Sequence, residues 1–237
     1  MTTVGVLECD HVDERHRPIA GDTVDMLRDL LAPHIPDLEL VPVDVIGGER
    51  PPAPDAYDGW VCPGSRHSVY DDLDWIGTLC AFVRDVHDAG VPFLGICFGH
   101  QALAHALGGR VARAATGWGA GTLQVVVERS EPWMEPPAEK LALHFMHQDQ
   151  VEVVPPGGVV LGRAEHCPVA LMRVGGSMVG IQPHPEFPAA YVDALLVDRV
   201  ARIGDDEVAA ARAALAQPTD EPTIAGWFAR ILAGRGS

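Results

Sequence analysis

Apolar residues in the first half of the chain come in short unbroken runs, separated by longer stretches in which they recur every three or four positions. That alternation predicts a parallel sheet with crossover helices. "TVGVLEC" reads as a strand, and "GDTVDMLRDLLAPH" as a helix with Val24, Leu27 and Leu31 on one face. "LELVPVDV" and "DGWVCPG" follow as strands, then "DDLDWIGTLCAFVRDVHDAG" as a helix that Gly90 ends. "VPFLGIC" is the next strand, and its apolar continuity predicts burial on both faces in the middle of a doubly wound sheet.

The second half changes rhythm. "GTLQVVVE", "LALHFMHQDQVEVV", "PVALMRVG" and "SMVGIQPHPEF" follow in close succession as strands, which fits antiparallel ribbons at one sheet edge. The chain then turns helical. "AAYVDALLVDRVARIG" predicts one helix, and "PTIAGWFARILAG" another that sets Ile224, Trp227, Phe228, Ile231 and Leu232 at helical spacing as a core-packing lid. "EPWMEPPAEK" reads as a Pro-rich loop, and no repeat, long linker or low-complexity tract interrupts the pattern. The expectation for 237 residues is one α/β domain over 1–237, a doubly wound, mainly parallel sheet flanked by helices with an antiparallel edge.

Charge narrows the partners. Lys and Arg total 17 against 33 Asp and Glu, a formal net charge of -16, and so acidic a surface repels phosphate backbones and anionic lipid. No nucleic acid and no membrane are expected as partners, and no run of about 18 apolar residues appears to span a bilayer. "MTTVGVLECD" lacks the basic start of a signal peptide. The 5 cysteines form no C-x-x-C pair, which argues against a disulfide scaffold or zinc ribbon and for a reducing cytoplasm.

Cys97 breaks the pattern. It ends the strand "VPFLGIC" with Gly95 two residues before it and Gly99 two residues after it. A cysteine that only fills a core needs no flanking glycines, whereas a tight strand-to-helix turn does. With a helix starting near Phe98, the Cys97 sulfur sits at a helix N-terminus, where partial positive charge favours thiolate and the Phe98 N–H can meet a developing oxyanion. The base that such a nucleophile needs is found in "GIQPHPEF": His184 closes another strand between two prolines, and Glu186 is placed to fix its tautomer.

These segments carry a resemblance. "GICFGHQALAHALGG" with "GIQPHPEF" resembles the class I (triad-type) glutamine amidotransferases, whose elbow reads G-x-C-x-G-x-Q and whose base segment reads H-P-E. "CPGSRHSVYDD" is similar to their oxyanion-loop segment G-G-P-x-S-V, and "MHQDQV" to the H-x-D segment near the glutamine site, as in the glutaminase domain of GMP synthetase. The four segments run in order over residues 59–187. The resemblance implies a flavodoxin-like fold, Cys97 as nucleophile, His184 as base and then acid, and Glu186 as its orienter. It implies backbone oxyanion donors at Phe98 and Ser65, and a substrate pocket formed by Gln101, His147, Gln148 and Asp149. No metal and no cofactor enter that chemistry. Ser65 and Arg66 stand where the family has a second Gly and then Pro, so the oxyanion loop is expected to differ in shape.

The remaining candidates have plainer readings. Cys9, Cys62, Cys80 and Cys167 lie in apolar runs or at strand ends and read as core. His144, His147 and Asp149 do not make a metal site, because strand residues three apart face opposite sides. His100 and His105 read as elbow-helix residues. "DHVDERHRP" reads as a solvated loop, or as a border of the site that recognises what is attached to a glutamyl group. The reaction implied is hydrolysis of the γ-carboxamide of L-glutamine through a γ-glutamyl thioester, with ammonia released for a partner synthetase subunit. A γ-glutamyl peptidase is the first alternative, and a non-catalytic binding module the second.

Overall fold

The computed structural model describes residues 1–234. In chain order the elements are β1 (Thr2–Leu7), α1 (Arg17–Ala20), α2 (Thr23–Leu31), β2 (Leu38–Val43), β3 (Gly59–Cys62), α3 (Asp74–Ala89), β4 (Phe93–Ile96) and α4 (Phe98–Ala106). They continue with β5 (Arg110–Arg113), β6 (Gly119–Val127), β7 (Lys140–His147), β8 (Asp149–Val153), β9 (Gly158–Ala164), β10 (Leu171–Val174) and β11 (Met178–Ile181). The helices α5 (Ala189–Asp198), α6 (Val200–Ile203), α7 (Asp205–Ala214) and α8 (Glu221–Leu232) follow.

The main sheet has nine strands in the order β2-β1-β3-β4-β11-β10-β9-β6-β7. β2, β1, β3, β4 and β11 are mutually parallel. From β11 through β10, β9, β6 and β7 every pairing is antiparallel. β5 and β8 form a separate antiparallel pair. Side-chain alternation divides the core between the two faces of the sheet. Val4, Val61, Leu94 and Ile96 pack with α2 and α8, while Trp60, Cys62 and Phe93 pack with α3 and α4. β4 is buried along its whole length, as its apolar run requires.

Local signals explain the helix boundaries. Asp22 caps α2 in a reciprocal box with Asp25, and Gly90 ends α3 at φ 68°. α8 buries Ile224, Trp227, Phe228, Ile231 and Leu232, and the Trp227 indole N–H donates to the Pro136 carbonyl at 2.9 Å, tying the helix to the Pro-rich loop.

Three expectations need correction. "LALHFMHQDQVEVV" is two strands: the chain leaves β7 at His147, and β8 pairs with β5 outside the main sheet. "SMVGI" is antiparallel only to β10, and on its other side it is parallel to β4, which places it mid-sheet. "AAYVDALLVDRVARIG" breaks at Arg199, whose φ of -103° and ψ of 8° end α5 and start α6. β5, β9, α1 and α7 are additional to the sequence reading.

Candidate active site

The carboxyl ends of β3, β4 and β11 converge at Cys97. The Cys97 N–H donates to the Ile181 carbonyl at 2.8 Å, joining the elbow to the end of β11, and the Gly99 N–H donates to the Pro63 carbonyl at 3.1 Å, joining it to the loop after β3. Cys97 itself has φ 51° and ψ -100°, a left-handed strain that costs a non-glycine residue about 1–3 kcal/mol. Its flanking glycines are steric necessities. A Cβ on Gly95 would lie 2.5 Å from the Gly99 carbonyl oxygen, and one on Gly99 would lie 1.9 Å from the Cys62 carbonyl oxygen. The turn therefore exists only because both positions lack side chains.

β11 delivers the partner. Beyond Ile181 the chain passes Gln182 and Pro183 to His184, whose N–H donates to the His144 carbonyl at 2.7 Å. The His184 side chain is 4% exposed. Its Nδ1 lies 2.8 Å from Glu186 Oε1, and the ring stacks on Phe187 at a centroid distance of 3.9 Å and an interplanar angle of 9°. Burial disfavours the imidazolium, but the Glu186 carboxylate and the neighbouring Cys97 sulfur outweigh it and push the His184 pKa up to about 10. A Cβ on Gly64 would come within 2.9 Å of His184 Cε1 and 3.8 Å of Cys97 Cβ, so the loop after β3 closes over this pair. The Cys97 sulfur and the His184 ring thus lie side by side in one cleft, with the Glu186 carboxylate behind the ring.

Two cavities meet at the Cys97 sulfur. The first is lined by Ser65, Gln101, His147, Gln148 and Asp149, with Trp118, Arg113, Arg199 and Arg202 around them. Gln101 Nε2 donates to the Asp149 carbonyl at 2.6 Å, and the Ser68 hydroxyl donates to the Asp149 carboxylate. The His147 ring is buried behind this wall beside His166, and burial, with the nearby His166 and His184, holds its pKa down to about 3. Phe98 turns its ring away, onto Trp75 at 5.6 Å, and its backbone N–H heads α4, a position with no intrahelical acceptor.

The second cavity, about 60 Å³, lies on the His184 side of the sulfur and is lined by Asp10, His11, Val12, Phe187, Tyr191 and Arg199, among others. The loop after β1 thus borders the site. Arg66 explains the departure in the next loop: its guanidinium binds the Asp10 carboxylate at 2.8 Å and the His11 carbonyl at 2.9 Å, while the Ser65 hydroxyl donates to the Cys9 carbonyl at 2.8 Å. Cys97, Ser65, Gln101, His147, Gln148, Asp149 and His184 line the two cavities, with Phe98 at the head of α4 and Glu186 bound to His184, whereas Cys80, Cys167, His100 and His105 do not line them. The sequence reading missed the Asp10–Arg66 lock, Phe187, Tyr191, Trp118 and Arg199. Only Phe187, within the H-P-E segment, lay beside a recognisable signal.

Residues 34–199 match the family Glutamine amidotransferase class-I. The chain is 34% identical to gamma-glutamyl peptidase 3 of Arabidopsis thaliana over 165 residues, 66% of this chain and 66% of that protein, so the alignment spans just under two thirds of the relative. It is 41% identical over 137 residues to a glutamine-hydrolyzing GMP synthase of Streptococcus mutans, covering 54% of this chain and 24% of the synthase. In three dimensions it resembles a glutamine amidotransferase of Thermotoga maritima, with TM-score 0.76 and 20% identity over 99% of this chain and 97% of that one.

Proposed function

This chain belongs to the class I glutamine amidotransferase family, and from that premise we propose that it is a cysteine-dependent γ-glutamyl hydrolase that accepts leaving groups larger than ammonia. Cys97 passes its thiol proton to His184 and attacks the γ-carbonyl carbon as thiolate, and the carbonyl oxygen gathers charge toward the backbone N–H groups of Phe98 and Ser65. His184 gives its proton to the leaving amine, the C–N bond breaks, and a γ-glutamyl thioester remains on Cys97. Water then attacks the thioester with His184 as base, releasing glutamate and the free cysteine. Glu186 keeps Nδ1 of the ring engaged, so that Nε2 is the nitrogen that faces sulfur and leaving group. Gln101 and the His147–Asp149 segment hold the α-amino acid end in the first cavity.

One observation carries the preference for a large leaving group. The leaving nitrogen departs on the side of the group that protonates it, and that side holds the 60 Å³ cavity lined by His184. One water-sized molecule such as ammonia needs only roughly 10–15 Å³. The similarity to gamma-glutamyl peptidase 3 supports the same reading. Hydrolysis of L-glutamine itself, with ammonia passed to a synthetase subunit, is the second reading, favoured by the 41% identity to a GMP synthase.

The test is to purify the protein alone and supply L-glutamine and a γ-glutamyl dipeptide side by side. Higher kcat/KM on the dipeptide is expected, abolished in Cys97→Ser with loss of the trapped acyl adduct. Slow glutamine turnover that rises many-fold with a co-purifying enzyme, with the dipeptide inert, would establish the second reading instead.

A further inference from the structure

Among the described residues, Arg199 is the charged group on the leaving-group wall that forms no ion pair. Asp10 and Arg66 neutralise each other at 2.8 Å. His11 faces Glu8 at 3.9 Å, Asp22 at 3.3 Å and Asp44 at 3.6 Å, and His184 holds Glu186. Two acids near Arg199 in sequence are engaged elsewhere: Asp198 binds Arg15 at 2.7 Å and His16 at 2.6 Å, and Asp193 binds Arg212. Among the described residues no carboxylate lies within ion-pair distance of the Arg199 guanidinium. Its neighbours are the Trp118 ring, 5.9 Å from the guanidinium carbon, Tyr191, Arg202 and the cleft itself, with Asp10 acting on it only from beyond ion-pair distance. Arg199 lines both cavities and is close enough to Cys97 for the two charges to interact. Burial disfavours its charged form, and a half-buried cation without a counter-ion is a costly feature unless a ligand supplies one.

The backbone explains how it gets there. α5 ends and α6 begins at Arg199, so the break in the helix delivers this side chain to the cleft.

We propose that Arg199 receives a carboxylate on the leaving side of the scissile bond, so that the preferred substrates are γ-glutamyl amino acids, whose leaving amine carries an α-carboxylate. The inference rests on the γ-glutamyl hydrolase reading. An α-carboxylate carbon is three bonds from the γ-carbonyl carbon, roughly 3–4 Å, which suits a cation beside the attacking sulfur. Guanidinium and carboxylate pair as a planar fork. The reaction stays balanced as plain hydrolysis: water cleaves the γ-amide to glutamate and a free amino acid.

The experiment compares kcat/KM for γ-glutamylalanine and γ-glutamylalaninamide, which differ only in the charge of the leaving group. The wild-type protein is expected to prefer the acid by about tenfold or more, the scale of one charged hydrogen-bonded contact. Arg199→Gln is expected to lose that preference and Arg199→Lys to keep part of it. Hydrolysis of both substrates with no preference, or an equal loss on both in Arg199→Gln, overturns the assignment and leaves the hydrolase reading standing; the equal loss would place Arg199 at the glutamyl end. No turnover of any γ-glutamyl compound overturns both.

Discussion

At Cys97 the backbone accepts a φ of 51° that a cysteine adopts only when its surroundings leave no alternative. Those surroundings are the backbones of β3 and α4, which pin the residues on either side. Beside the resulting sulfur lies the His184 ring, and the behaviour of that ring is set by Glu186. Because burial alone would lower the His184 pKa, its upward shift is the work of charge. On the proposed mechanism His184 protonates the leaving amine, and that acid is lost only as pH rises through the elevated folded value, so the alkaline limb of kcat/KM is expected well above the ordinary histidine range near 6.5. Glu186→Gln keeps the hydrogen bond and removes the charge, so the limb should move to lower pH, with kcat reduced less than in His184→Ala. A pH–rate profile checks both, and an unmoved limb in Glu186→Gln would rule out the carboxylate as the cause. These residues were legible in the sequence because each lies in a short local motif. Arg199 was not, since its position depends on where α5 stops.

The elements were legible in proportion to the strength of their periodicity. β1, β3, β4, α2, α3 and α8 carry long or continuous apolar patterns and appear where expected. β5 is four residues long and carries only one buried residue, Val111, too little for any period to show. β8 continues the apolar pattern of β7 with a single residue between them, so only tertiary pairing reveals the break. α7 buries just Val208 and Ala211, a face too narrow to announce a helix. The elbow is the element on which most depends, and its tolerance can be measured. Gly99→Ala places a Cβ 1.9 Å from backbone that cannot yield, and the expected loss is about 3 kcal/mol or more in urea unfolding, with activity falling alongside it. Gly77, within α3 and with nothing within 4 Å of its added Cβ, is the control: Gly77→Ala should be neutral or stabilising by up to about 1 kcal/mol. Equal behaviour of the two variants would mean that the β3–α4 contact is not a constraint.

For the whole molecule, the buried histidines set the pH range of stability, with His144, lowered by burial, acting in the same direction as His100 and His147. His100 and His147 are pulled down to about 4 and about 3, chiefly by burial, so the folded state keeps them neutral while the unfolded chain, titrating near 6.5, takes up protons. Stability is therefore complete above pH 6.5 and falls as pH drops below it, by up to about 1.4 kcal/mol per pH unit for each ring. His184 has the opposite sign. Its folded pKa is raised, so its contribution is complete below pH 6.5 and is lost as pH rises toward the folded value. The net charge of -16 does little to blur this, because ordinary carboxylates titrate near 4 and the thiols Cys80 and Cys167 are pushed up to about 11 and about 12. Between pH 5 and 8.5 the histidines dominate. Urea midpoints measured across that window should trace a dome with its maximum near neutrality. Replacing His147 with Gln should flatten the acid side, and Glu186→Gln the alkaline side, each without the other. A midpoint that stays level from pH 7 down to 5 in the wild-type protein would show that His100 and His147 are not held neutral in the fold.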